Sequence, residues 1–420
     1  MTQSKTLGSR SVSDEGRDFR PDSGNYARAF DDARFWRWMA VGVGVLAVCK
    51  GIRQPNLWSY TQAQFDYSSG FMRRGLFGFV LARPLGLGRY AHFTVVSIEL
   101  LLALFATLVL LAYKSKLAER TAPGELLAVY ASSYSVTYLA HLNGYLDIPL
   151  ALLCVAPLFV RSTVWRLVAA VVCAMLGILI HEQFLFCFLP VLAVSVLFGA
   201  AVVDGQRSQQ RLGWFGGVAL MVMGLALMWF LGRHGSISET QAAQLSRSIA
   251  QRADRPLVAD AIQVLPRTPK ENLEIMKSVW RRPTFLPAQG ESLLLFVPTA
   301  AVLSWATFVL LRRWRPRQYR WLYAAVLLGT LAPLSLHLVG WDKNRWNELL
   351  SLNAFLLLLA ASRLMGREPV RLPAALRRAC LAVMLLNMAS GGGMLDNRHI
   401  RPFPFLRSTD AAQAGPVAER

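Results

Sequence analysis

The sequence has little charge for its length. Only 17% of its 420 residues are charged, whereas a typical soluble protein has about 25%. This shortage excludes most water-soluble folds. In addition, 54% of the residues are hydrophobic, and they occur in long blocks separated by short basic stretches, which is typical of a chain that crosses a membrane several times.

Motifs for nucleotide, redox and metal chemistry are missing. The sequence has no GxxxxGK[ST] phosphate loop, no GxGxxG in a strand context, no serine elbow and no Cys/His array. Its five cysteines lie in or beside apolar segments without a CxxC pair, as expected of packing residues. These absences argue against ATP-driven transport and redox chemistry. They predict no cofactor and no metal site, and they leave a metal requirement of the reaction open.

Hydropathy predicts an all-α, polytopic transmembrane bundle of about eleven helices. The apolar blocks lie at 35–51, 92–113, 124–142, 147–161, 165–180, 184–203, 213–232, 291–312, 321–339, 348–362 and 375–394, each near the ~20 residues that a bilayer requires. The rest comprises an N-terminal tail (1–34), two long loops (52–91 and 233–290) and a C-terminal tail (395–420). We expect disorder in the N-terminal tail and after Arg407, and a short interfacial helix in the second half of the first loop.

The basic residues predict an orientation. With a cytoplasmic N-terminus, the short inside loops contain seventeen Lys and Arg and the short outside loops contain two, as the positive-inside rule requires. We therefore attribute the net charge of +20 to topology and predict no nucleic-acid partner. The prediction is a multi-pass protein of the bacterial inner membrane that contacts membrane lipids and has both long loops outside.

Unusual polar residues concentrate on one side of this topology. The outer side receives Asp66, Arg73, Arg74, Asn143, Asp147, His181, Glu182, Asp342, Lys343, Arg345 and Glu348. Glu99 and His337 lie a turn or two below the same face, where ionisable groups in a membrane generally point into the bundle. The sequence thus predicts one outward-facing polar cleft.

Two aspartates are the first candidates for chemistry. Asp66 lies between aromatic residues in FDYSSG, where partial desolvation would raise its pKa and suit a general base. The alternative is an aspartate that orders the loop by accepting backbone hydrogen bonds. Asp147 opens a helix in NGYLDIP, and helix capping alone would explain it.

Paired arginines are candidates for phosphate binding. Arg73 and Arg74 lie in GFMRRGLFG, and two guanidinium groups suit bidentate contact with phosphate. The alternative is contact with lipid headgroups. Arg281 and Arg282, where the second long loop returns to the membrane, are further candidates.

Two more pairs are candidates for substrate binding. His181 and Glu182 are adjacent in ILIHEQFLF, although adjacent helical residues do not face each other, so a structural role for one of them is the alternative. Asp342 and Arg345 in GWDKNRWN are spaced to pair along a helix. The tryptophans of that motif, Trp341 and Trp346, would offer a surface on which sugar rings or interfacial lipids stack.

The order of these features resembles the membrane glycosyltransferases of the GT-C superfamily and, more loosely, bacterial polysaccharide polymerases. The shared layout is a helix, a long outside loop with an acid and an interfacial segment, and paired helices with a second acid in the next outside turn. The resemblance implies catalytic roles for Asp66 and Asp147, a polyprenyl-phosphate-linked sugar as donor and a cell-envelope glycan or lipid as acceptor. The alternatives are a polymerase, a flippase or transporter for a lipid-linked sugar, and a non-catalytic scaffold.

Overall fold

The fold is helical. The computed structural model describes residues 23–117, 124–202, 207–314, 319–338, 340, 342–364, 372–391 and 401–404. Within these ranges the chain forms helices and turns and has no strand. The prediction of an all-α protein is therefore confirmed.

The helices follow one another with short connections. The first half contains α1 Ser23–Gly51, α2 Leu57–Ala63, α3 Tyr90–Ser115, α4 Glu125–Ala131, α5 Tyr134–His141, α6 Asp147–Val155, α7 Thr163–Ile180, α8 Gln183–Cys187 and α9 Leu189–Val202. The second half contains α10 Arg207–His234, α11 Glu239–Ala250, α12 Ala259–Gln263, α13 Pro269–Trp280, α14 Phe285–Trp314, α15 Tyr319–Leu331, α16 Lys343–Leu364 and α17 Ala374–Ala389. Shorter turns occur at Tyr67–Ser69, Gly78–Ala82, Ala156–Phe159 and Ala332–Leu338.

Five segments of the described chain are long and apolar enough to cross a membrane. They are Tyr90–Ser115, Thr163–Ile180, Arg211–His234, Phe285–Trp314 and Arg320–Leu338. Their outer surfaces expose large apolar side chains, for example Val109 (68%), Phe215 (72%) and Leu328 (73%). Exposed apolar surface of this extent is expected in contact with lipid and is uncommon in contact with water. These features support a membrane protein.

The count of eleven spans is not confirmed, because several predicted blocks are short helices here. The block at 124–142 contains both α4 and α5, separated where Ser133 caps α5 by accepting a hydrogen bond from the Val136 amide. The apolar helices Asp147–Phe159 and Leu189–Gly199 are likewise shorter than a full span. Serine competes for backbone hydrogen bonds and so favours such breaks.

Helix α16 is the enclosed centre of the bundle. Every residue from 345 to 362 is buried, including the polar residues Asn347 and Asn353. The Asn353 side chain donates hydrogen bonds to the carbonyls of Cys187 and Gly329, at 2.8 and 3.0 Å. A buried polar group costs little when it is bonded in this way. The central helix can therefore carry polar residues at its core.

The two long loops pack against each other as a folded unit, which we call the cap (residues 52–89 and 235–268). Phe65 and Met72 of the first loop share an apolar cluster with Leu245, Ile249 and Leu265 of the second. The interfacial helix expected in the first loop is reduced to the turn Gly78–Ala82, where Phe79 and Val80 are exposed. The end of the bundle that carries this unit is the cap end.

The structure describes only parts of the two tails, and one of these parts differs from the prediction. Helix α1 begins at Ser23, so the expectation of disorder is wrong for residues 23–34. Residues 1–22 and the tail after Arg407 lie outside the described residues. Residues 401–404 lie against the cap, where Arg401 donates a hydrogen bond to the Gln54 carbonyl at 2.8 Å.

Candidate functional site at the cap end

Three turns of the bundle meet at one buried arginine. The Nε of Arg345 donates to Asp147 Oδ2 at 2.5 Å, and its Nη2 donates to Gln183 Oε1 at 2.9 Å. The Gln183 amide donates in turn to Asp147 Oδ1. All three side chains are buried, and the guanidinium lies 4.8 Å from the Tyr145 ring centroid. These three residues form the Arg345 cluster, which joins turns far apart in the sequence.

Asp147 is not explained by capping. The N-cap of α6 is Leu146, and no side-chain capping bond is present there. Both carboxylate oxygens of Asp147 instead contact the Arg345 cluster. Asp147 lies in the first turn of α6, but its carboxylate is held by Arg345 and Gln183, so capping alone does not explain it.

Asp342 connects the Arg345 cluster with solvent. Its Oδ2 lies 3.4 Å from Arg345 Nη1, so the predicted pair along the helix is confirmed, and the Asp342 side chain is 41% exposed. Of the two tryptophans expected to form a stacking surface, Trp341 lies outside the described residues. Trp346 is buried, with its ring 5.3 Å from that of His337.

A second ion pair lies beside the first. The Nε of Arg74 donates to both carboxylate oxygens of Glu182 at 2.9 Å, and Nη2 donates to Oε1. The two side chains are 11% and 14% exposed. Because Glu182 directly precedes Gln183, this pair adjoins the Arg345 cluster and places a guanidinium near its edge.

His181 and Glu182 face each other, contrary to expectation. His181 has extended backbone angles (φ −161°, ψ 127°), so the chain is not helical there and the imidazole Nδ1 lies 3.6 Å from Glu182 Oε2. The break has a packing cause. A Cβ at Gly177 would lie 2.4 Å from the ring of Phe184, so only glycine lets the chain fold back so closely.

Electrostatics fix the protonation of this pair. Burial opposes ionisation of Glu182, but Arg74 outweighs burial and holds the pKa of the carboxyl well below its usual range. Burial, assisted by the charge of Arg74, holds the pKa of His181 well below its usual range. At neutral pH the carboxylate is therefore charged and the imidazole neutral. The imidazole Nδ1 accepts a hydrogen bond from the backbone N–H of Gln183 at 3.2 Å.

Asp66 lies in the cap and does not have the raised pKa that was expected. Its Oδ1 accepts hydrogen bonds from the Ser68 amide at 3.0 Å and the Ser68 hydroxyl at 2.5 Å, and its Oδ2 contacts Arg252 at 2.7 Å. Burial raises the pKa of Asp66, but the bonds from Ser68 and the charge of Arg252 outweigh it, so the pKa is below its ordinary value. These contacts match the loop-ordering alternative and extend it to the second loop.

The candidate phosphate-binding arginines occupy different surroundings. Arg73 donates to the carbonyls of Val264, Leu265 and Arg267, at 2.6 to 3.0 Å. It therefore stabilises the cap. Arg281 and Arg282 follow the end of α13 and are exposed, while Arg74 alone reaches the bundle.

The remaining polar residues divide between interior and surface. His337 Nε2 lies 2.9 Å from Asn347 Oδ1, facing α16 as predicted. Glu99 is exposed on α3, so the prediction of an inward-facing side chain is wrong for this residue. Asn143 is buried near Arg53, whose carbonyl accepts a hydrogen bond from it at 3.4 Å. Lys343 is half-buried.

Sequence reasoning missed several partners. Gln183 and Arg252 were not candidates, although each contacts a predicted acid. The role of Glu348 was also missed. It is fully buried, its Oε2 accepts a hydrogen bond from Ser135 at 3.0 Å, and its Oε1 has no hydrogen-bond partner among the described residues. The position of Glu348 inside an apolar helix was a signal in the sequence, but the sequence does not indicate that its partner is Ser135.

The described residues contain no group of three or more His, Cys, Asp or Glu able to hold a metal ion. What the site offers is two arginines, each balanced by a carboxylate and each close to the cap. Guanidinium groups of this kind suit phosphate, because they present parallel donors. The arrangement is thus suited to binding an anionic group beside a carboxylate.

Comparison with protein-family models, curated proteins and solved structures gave no match for this chain.

Proposed function

We propose that this protein is a membrane glycosyltransferase that takes its sugar from a polyprenyl-phosphate-linked donor. The observation that carries the proposal is the junction of the Arg345 cluster with the Arg74–Glu182 pair at one end of an apolar helical bundle. A lipid-linked phosphate needs both a bilayer for its chain and cations where its headgroup emerges. The predicted orientation places this end outside the cytoplasm, on the periplasmic face of a bacterial inner membrane.

The chemistry needs few groups. The acceptor hydroxyl attacks the anomeric carbon, the carbon–oxygen bond to phosphate breaks, and the hydroxyl proton passes to a carboxylate. The polyprenyl phosphate leaves with the bonding electron pair and is stabilised by guanidinium groups. Direct displacement inverts the anomeric centre. The donor carries its own activation, so the proposal requires no nucleotide.

We assign the proton-accepting role first to Asp147 and second to Asp66. Asp147 lies in the Arg345 cluster, beside the guanidinium groups that would hold the donor phosphate. Both acids have both oxygens engaged, Asp147 by Gln183 and Arg345 and Asp66 by Ser68 and Arg252, so either can act as a base only if its arginine moves away. The acceptor would be a cell-envelope glycan or lipid.

A small crevice lies beside the cluster, between α3 and the start of α6. Phe93 and Leu100 of α3 line it from one side, and Tyr145 and Pro149 line it from the other. Its walls are mainly apolar, and Tyr145 also contacts the Arg345 guanidinium. The crevice is too narrow for an isoprene unit in this structure, so a donor chain would enter it only if the surrounding helices moved apart.

The test is transfer of radiolabelled sugar from polyprenyl phosphate by the purified protein in nanodiscs. Wild-type protein should transfer the sugar, and Asp147→Asn should reduce the rate by at least about a hundredfold, the lower range for general base catalysis. Asp66→Asn, measured beside it, separates the two acids. Binding of the labelled lipid without any transfer would contradict the enzyme and favour a flippase or a polymerase that requires a longer donor.

A further inference from the structure

The two adjacent arginines of the GFMRRGLFG motif have different tasks. Arg73 is committed to the cap through three backbone carbonyls, and its own amide donates to the Gly235 carbonyl at 3.0 Å. Releasing Arg73 would leave these acceptors without a partner and cost stability. Arg74 has a side-chain partner that an anion can replace.

The backbone holds Arg74 in an unusual conformation. Its φ is 66°, in the left-handed region, where a residue with a Cβ is strained. The next residue, Gly75, is packed so closely that a Cβ there would lie 2.5 Å from the ring of Tyr67. The backbone conformation of Arg74 and the close packing of Gly75 therefore fix this turn. The turn directs Arg73 to the cap and Arg74 to the bundle.

Glu182 presents to Arg74 the same fork of two oxygens that a phosphate would present. Arg74 Nε donates to Glu182 Oε2 at 2.9 Å and Nη2 donates to Oε1, which is the two-nitrogen fork with which guanidinium binds carboxylate or phosphate. The pair is partly exposed, at 11% and 14%. A ligand can reach it without unfolding the core.

Glu182 lies near a second arginine besides Arg74. The Arg73 charge contributes to keeping the carboxyl ionised, whereas the neutral imidazole of His181, 3.6 Å from Oε2, adds no charge. If Arg74 moved to another anion, the charge of Arg73 would still act on the carboxylate.

We propose that Glu182 is a built-in competitor for the anionic headgroup, which must displace it from Arg74 to bind. The inference rests on the proposed function for the identity of the headgroup, a polyprenyl phosphate, and assigns that contact to Arg74 and not to Arg73. The resting ion pair keeps the site closed to weak anions. The polyprenyl phosphate that the reaction releases is a phosphate monoester with more charge than a carboxylate, so it has the advantage in the exchange.

The experiment measures binding of radiolabelled polyprenyl monophosphate to the protein in nanodiscs, with neutral polyprenol and inorganic phosphate as comparison ligands. Glu182→Gln removes the competitor and should tighten binding of the lipid phosphate about tenfold. Arg74→Met should weaken it at least about tenfold, whereas Arg73→Lys should leave it unchanged in protein that remains folded. Glu182→Asp keeps the charge on a shorter side chain and should give an intermediate affinity, which provides a second measure if Glu182→Gln does not fold.

The outcomes separate this inference from the proposed function. Tight wild-type binding that Glu182→Gln and Glu182→Asp leave unchanged would overturn the competition and leave the transferase standing. Wild-type affinity in Arg74→Met would show that the phosphate binds elsewhere and also overturn it. Absence of binding in every variant would contradict both. If Glu182→Gln bound both neutral polyprenol and polyprenyl phosphate more tightly, the substitution would have opened the crevice in general. That result would contradict ion-pair exchange.

Discussion

The two ends of the bundle satisfy their buried arginines in different ways. At the cap end, Arg345 and Arg74 contact the carboxylates of Asp147 and Glu182. At the other end, Arg166 donates to the carbonyls of Val160, Arg161 and Ser195. A backbone carbonyl is a fixed structural acceptor, whereas a carboxylate can exchange partners or accept a proton.

One pair at the other end refines this contrast. Arg377 pairs with Glu125, whose carboxylate is 2% exposed, while the arginine side chain is 49% exposed. This arginine lies largely in solvent, so the pair joins α4 to α17 at the surface of the bundle. Carboxylates therefore occur at both ends, but within the described part of the chain two adjacent carboxylate–arginine pairs occur only at the cap end. The candidate site is therefore distinguished by two ion pairs that lie next to each other, since a single ion pair also occurs at the other end.

The largest expected effect comes from breaking the Arg345 cluster on one side. Arg345→Met leaves Asp147 buried without a cation and should reduce the free energy of unfolding by about 3–5 kcal/mol. Unfolding in mixed detergent micelles measures the loss. Arg345→Lys retains a charge and should lose less. If Arg345→Met were as stable as wild type, the cluster would not be buried as described.

At the other end, Arg166→Met should lower stability and spare function. The substitution removes the donor from the carbonyls of Val160 and Arg161 at the start of α7, and the expected cost is about 1–3 kcal/mol, the range for a buried group left unsatisfied. Sugar transfer per folded molecule should match wild type. A loss of transfer out of proportion to the loss of folded protein would mean that this end takes part in the reaction.

Acid should loosen the cap through Asp66. The pKa of Asp66 is below its ordinary value of 3.8 in the folded protein, so the stabilisation is fully present above that value and is lost as pH falls through the lower, folded pKa. Protease cleavage within residues 235–268 should therefore increase below about pH 4. In Asp66→Asn this segment should already be more easily cleaved at neutral pH, with less further change in acid.

The smallest expected effect belongs to the exposed arginines of the second loop. Replacing Arg281 and Arg282 together with alanine should raise the KM for the donor slightly at low ionic strength and leave it unchanged at high salt, since salt screens exposed charges. Stability should be unaffected. A large, salt-independent increase in KM would place these arginines in direct contact with the donor phosphate.

The sequence allowed the helical class and the polar character of the cap end to be predicted, because both depend on local composition. The contacts within the site could not be predicted in the same way. Arg345 and Asp147 are 198 positions apart, and Arg252 and Asp66 are 186 apart. Hydropathy indicates the side on which such residues lie, but only packing selects their partners.

Local patterns also failed where tertiary packing overrode them. Hydropathy predicted a break between the blocks 165–180 and 184–203, but it did not predict that Phe184 would pack against Gly177 or that His181 and Glu182 would face each other. The expected pKa of Asp66 was wrong for a similar reason. Its aromatic neighbours in sequence were visible, but Arg252, which contributes to lowering the pKa, comes from the other loop.

The central claim is that the Arg345 cluster serves function rather than stability. The most direct measurement is stability and sugar transfer of one triple variant, Asp147→Leu, Gln183→Leu and Arg345→Met, in nanodiscs. Apolar residues of similar volume can replace a buried ion pair at little cost, so the variant should unfold like wild type and transfer no sugar. A stable variant that still transfers sugar at the wild-type rate would contradict the claim and make the cluster part of the scaffold.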